Sequence, residues 1–86
     1  MKEQDLIDLG FERVDVTAEE SGYATDWYYY TMDFGTHRGI SLISCDNSEG
    51  IDKGWYVDIL EDESISFNKY EDVLDFITII RKGINK

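Results

Sequence analysis

The chain has 86 residues, 19 of them Asp or Glu against 8 Lys or Arg, for a formal net charge of −11. That field repels nucleic acid and anionic membrane and draws in basic partners at rates that fall with salt. One domain spanning residues 1–86 is all this length supports, and 42% apolar with 14% aromatic residues argues for a packed core over disorder.

Lys2 to Leu9 reads as a short helix with Leu6, Ile7 and Leu9 as its apolar positions. Glu3 and Asp5 suit the positive end of the helix dipole. Gly10 stands where a left-handed stop is wanted, and Phe11 is placed to fold back over Leu6. Phe11 to Val16 follows as a first strand, and Thr17 to Gly22 as a polar break. Asp26 to Phe34 is rich in β-formers, with Trp27, Tyr28, Tyr29, Tyr30 and Thr31 in succession. Gly35 to Gly39 is a turn, Ile40 to Cys45 a third strand, and Asp46 to Gly54 a loop without apolar periodicity. Trp55 to Leu60 is a fourth strand, Glu61–Asp62–Glu63 an acidic turn, and Ser64 to Phe67 a last short strand.

The closing segment predicts a helix. Asn68 and Glu71 have capping-box spacing, and Tyr70, Val73, Leu74, Ile77 and Ile80 recur at helical intervals. Arg81 and Lys82 oppose the dipole at the other end, and Gly83 is placed to end the helix. The order predicts an α+β fold: a short N-terminal helix, an antiparallel sheet of four to five strands, and a C-terminal helix packed on one face.

Strand alternation divides the sheet. Tyr28, Tyr30, Met32, Phe34, Ile40, Leu42, Trp55, Val57, Ile59, Ile65 and Phe67 form the core set. The other side interleaves Trp27, Tyr29, Ile43 and Tyr56 with Thr31, Asp33, Ser41 and Asp58. Large aromatics on a sheet's second face need an explanation. Either the N-terminal helix or a second copy covers them, or they anchor a partner within an acidic rim.

Catalytic and metal chemistry find little footing. His37 lies in a turn beside Arg38 with no orienting partner in sight, and Cys45 lacks a nucleophile motif. Ser41, Ser44 and Ser48 sit in no nucleophile elbow. Asp46–Asn47–Ser48–Glu49–Gly50–Ile51–Asp52 looks superficially like a calcium loop. Ile51 replaces its sixth-position glycine and Val57 its bidentate glutamate, which leaves room only for weak adventitious Ca²⁺. No cofactor is implied. Cys45 cannot form an internal disulfide and reads as a small buried hydrophobe in a reducing cytosol. The polar start Met1 to Asp5 is unlike a signal peptide, and no apolar run approaches the ~18 residues of a membrane span. The expected location is cytoplasmic.

These features point to a small acidic, non-enzymatic protein that occupies a basic surface of a partner, such as a nucleic-acid-binding protein or nuclease, without itself touching nucleic acid. Trp27, Tyr29 and Tyr56 are its candidate anchors. The candidate phosphate stand-ins are Asp33, Asp58, Glu61, Asp62, Glu63, Glu71, Asp72 and Asp75. The alternatives are a homo-oligomeric structural or assembly protein that buries the same face against its own copy, and an acidic immunity protein. In plan the chain resembles the small inhibitors encoded by phages and mobile elements, including anti-CRISPR proteins and DNA mimics. The likeness rests on its shortness and acidity, the absence of proline and disulfide, the helix–strands–helix order from Lys2 to Lys82, and segments such as Leu9–Gly10–Phe11 and Trp27–Tyr28–Tyr29–Tyr30. It implies inhibition by occupancy inside a bacterial cell and assigns no individual residue.

Overall fold

The computed structural model describes residues 1–22, 25–35, 40–60 and 62–84. Its elements are α1 (Glu3–Leu9), β1 (Glu12–Val16), α2 (Ala18–Ser21), β2 (Trp27–Asp33), β3 (Ser41–Ser44), α3 (Asn47–Lys53), β4 (Val57–Ile59), β5 (Asp62–Phe67) and α4 (Tyr70–Ile84). The five strands form one antiparallel meander in the order β1-β2-β3-β4-β5, open at both edges. The α+β architecture is the one expected.

Helix α1 stops as its sequence dictates. Gly10 is left-handed at φ 99°, and its N–H donates to the Ile7 carbonyl at 3.1 Å while Phe11 N–H donates to Leu6 at 3.0 Å. Phe11 is thereby turned inward, and Leu6, Leu9 and Phe11 are all buried. A seven-residue helix is marginal in water, so its docking holds it. Part of that docking is polar: one Glu3 carboxylate accepts from Tyr30 Oη at 2.6 Å and from Tyr28 Oη at 3.2 Å.

Leu6, Leu9, Tyr30, Met32, Leu42, Trp55, Val57, Val73 and Ile77 belong to one buried cluster. Both terminal helices therefore pack on the same, inner face of the sheet. This corrects the idea that the N-terminal helix covers Trp27 and Tyr29.

Two elements replace expected loops. Within the polar break, α2 is a single turn whose Thr17 side chain accepts from Glu20 N–H, with left-handed Gly22 ending it. Within the 46–54 loop, α3 is capped by the Asp46 side chain, which accepts from Glu49 N–H at 2.9 Å. Thr17 with Glu20 and Asp46 with Glu49 both have the spacing of a helix start. Each helix buries too few residues to show periodicity.

Other boundaries move as well. β5 begins at Asp62, so Asp62 and Glu63 belong to the strand and not to a turn. Helix α4 begins at Tyr70, which puts its cap position at Lys69 and leaves Asn68 to offer its carbonyl to the Met1 ammonium at 3.0 Å. Gly83 lies inside the last turn of α4 and does not end it. On α4, Val73 and Ile77 are buried, but Leu74 is 41% exposed. Phe76 takes the inward role instead, meeting Phe67 at 5.3 Å and Phe34 at 6.4 Å between ring centroids. Ile65, expected in the core, is 42% exposed because it stands on the edge strand. The turn histidine His37 lies outside the described residues.

Candidate functional site: the outer face of the sheet

Register shows what the outer face carries. Val16 faces Trp27, Val14 faces Tyr29 and Glu12 faces Thr31 across β1 and β2. Thr31 then faces Ile43, and Asp33 faces Ser41. Ile43 faces Asp58, which in turn faces Ser66. A single row, Glu12–Thr31–Ile43–Asp58–Ser66, thus crosses all five strands. Its two carboxylates stand three strand spacings apart, roughly 14 Å between backbones.

The aromatics of this face are held in place. Trp27 and Tyr29 are both half-buried and stack at 5.5 Å between centroids with a 29° interplanar angle. Rings already packed together lose little side-chain entropy when a partner lands on them. Tyr56 is half-buried against the edge of the core. Burial, and then a hydrogen bond to the Glu49 carboxylate, push its phenol up to about 12. Glu49 was missed as a site neighbour because the segment that bears it read as a loop.

The acids divide by location. Asp33 is exposed at the end of β2, where Oδ1 accepts from Gly35 N–H at 2.8 Å. Asp58 is half-buried in mid-sheet, and its Oδ1 is inaccessible with no hydrogen-bond partner among the described residues. A polar atom in that state is costly, so its presence calls for a reason beyond stability. Glu71, Asp72 and Asp75 are exposed on α4, which packs on the inner face, so they lie across the sheet from Trp27 and Tyr29. Glu61 lies outside the described residues, and only the backbone of Asp62 and Glu63 is described.

Sequence reading also missed Glu12, Val14 and Val16. Their alternation with Arg13 and Asp15 carries the signal, but alternation alone does not say which side of the first strand faces outward. With them included, the outer strand positions carry Glu12, Asp33 and Asp58 and no lysine or arginine.

Arg13 sits on the other side, 2.9 Å from Asp15 and with its guanidinium 3.6 Å from the centre of the Tyr28 ring. The bond to Asp15 raises its already high pKa, so it stays a fixed cation at the inner edge.

Cys45 is buried, and burial pushes its thiol pKa up, the opposite of what a nucleophile needs. Among the described residues no group of three or more His, Cys, Asp or Glu is placed to hold a metal ion, and no helix is long and apolar enough to cross a membrane. No family model, curated protein or solved structure matches the chain.

Proposed function

We propose that this chain is a binding protein that works in the cytoplasm by occupying a basic, nucleic-acid-binding surface of a partner protein, in the manner of a DNA mimic or anti-CRISPR inhibitor. The observation that carries the reading is the outer face. Stacked Trp27 and Tyr29 share this face with Glu12, Asp33 and Asp58, which lie beyond Tyr29 toward the Asp33 end of β2; no cation stands on its strand positions, and neither terminal helix covers the rings. Aromatic rings supply desolvated contact area, carboxylates pair with lysine and arginine, and the net charge of −11 speeds encounter. Nothing is turned over; inhibition is by occupancy.

The test is capture of a partner from a lysate of the source organism, with three conditions on the captured protein. It must be basic, duplex DNA must displace it, and Trp27→Ala must weaken its retention. Capture that DNA leaves untouched rejects the DNA-mimic reading. A dimer whose light-scattering mass is indifferent to salt favours the structural alternative, in which a second copy takes this face.

A further inference from the structure

The two edges of the sheet are built differently. β1 carries Glu12, Arg13 and Asp15, with Arg13 paired to Asp15 at 2.9 Å. Charge along an edge discourages another strand from adding to it. β5 is the opposite edge, and among the described residues it is joined to the sheet only through the three-residue strand β4. Even that pairing is interrupted by a register shift between Asp58 and Ile59. The last four residues of β5, Ser64–Ile65–Ser66–Phe67, contain no charge and no proline in a chain of net charge −11. Ile65 is 42% exposed in the middle of them, and Leu60, in the turn leading to the strand, is 46% exposed. Past its acidic start at Asp62 and Glu63, this edge strand runs uncharged through Ile65–Ser66–Phe67 with a β-branched residue exposed in it, a stretch open to another strand.

We propose that the β5 edge receives an extended basic segment of the partner as a sixth strand, a deepening that rests on the reading of this chain as a binder of basic proteins. Register sets the pattern of that segment. On one side its residues lie beside Ile65 and Phe67, and apolar side chains there lengthen the core beneath α4, where Phe67 already meets Phe76. On the other side its residues lie beside Ser66, with Asp58 one strand further in. At the usual strand spacing, Asp58 is ~10 Å from the backbone of the added strand. Only a long side chain crosses that gap, and the small Ser66 hydroxyl leaves it room. A lysine or arginine opposite Ser66 therefore comes within reach of the half-buried Asp58 carboxylate. A second copy of this chain is the wrong occupant, because it would bring another −11 charge and further acids to the same edge.

The test uses a blocked hexapeptide of alternating lysine and valine, its glutamate–valine counterpart, and the full chain labelled for amide hydrogen exchange by NMR. At saturation the lysine peptide is expected to slow exchange at Ile65, Ser66 and Phe67 about tenfold, and salt should reverse the effect. The glutamate peptide should do nothing. Asp58→Asn should weaken the lysine peptide about three- to fivefold, and Ile65→Lys should abolish protection while leaving the folded spectrum intact. Unchanged exchange along β5, equal slowing along β1, or an equal effect of the glutamate peptide overturns strand addition. A lysine peptide that perturbs only Trp27 and Tyr29 also overturns it, and leaves the outer-face reading standing.

Discussion

Gly50 and Trp55 compete for the same space: a Cβ added at residue 50 would overlap the six-membered ring of the Trp55 indole. Glycine within a helix costs about 1 kcal/mol relative to alanine. Helix α3 tolerates this because the indole, only 4% exposed, lies across it, stacking on Tyr28 and meeting Tyr30 edge-on. Gly50→Ala therefore reverses the usual effect of that substitution. The helix gains propensity, but a buried ring is displaced, and the expected net loss is about 1–3 kcal/mol. Urea unfolding measures the loss and tryptophan fluorescence reports the moved ring. A midpoint at or above that of the parent chain would show that the indole yields without strain.

The Glu3 tether to Tyr30 and Tyr28 makes stability depend on alkaline pH. Burial first, and then the hydrogen bond to Glu3, push Tyr30 up to about 12; burial and the Glu3 charge raise Tyr28. Tyr56 adds to the same window at about 12. The folded chain thus holds these protons more tightly than the unfolded chain, where the phenol pKa is about 10. Their contribution is complete below pH 10 and is lost as pH rises through 12. Unfolding free energy should fall across that interval, and Tyr30→Phe should flatten part of the fall while lowering stability at neutral pH. Parallel pH curves for the two proteins would exclude the tether as the cause.

What was legible in the sequence was whatever local chemistry decides. Gly10 and Phe11 end α1 through their own backbone bonds, and alternation along β2 and β4 sorts Tyr30 and Val57 from Tyr29 and Asp58 without knowledge of any partner strand. The side of the sheet to which α1 docks was not legible, because the apolar stripe of Leu6 and Leu9 fits either face. The path of the chain past Phe11 and the hydrogen bonds of Glu3 to two tyrosines decide it. Helix α3 was hidden for a related reason: its buried position is Gly50, which carries no hydrophobic signal. On α4, periodicity favoured Leu74, yet the rings of Phe34 and Phe67 draw Phe76 inward. The α4 acids are exposed, but the choice of face for α4 separates them from the aromatics.

Asp58 is a site where stability and recognition are expected to part. Its Oδ1 is inaccessible and has no hydrogen bond among the described residues, in a strand position flanked by Ile43 and Ser66. Replacing it with threonine removes the desolvated carboxylate and supplies a β-branched side chain, which should stabilise the fold by about 0.5–1.5 kcal/mol. The same change should weaken binding of a basic partner. Thermal unfolding paired with binding measured on one protein preparation checks both signs. A variant that is more stable and binds equally well would remove Asp58 from the site.

Kinetics should separate the two sides of the molecule. Glu71, Asp72 and Asp75 lie across the sheet from the aromatic face, so they act on a partner only through the long-range field. Changing all three to glutamine or asparagine should slow association and flatten its salt dependence, with dissociation unchanged. Tyr56→Ala should do the reverse, weakening binding by about 1–3 kcal/mol mainly through faster dissociation. Surface plasmon resonance at two salt concentrations distinguishes them. Faster dissociation in the helix variant would place α4 inside the contact, and a partner gripping both faces would then have to wrap around a sheet edge.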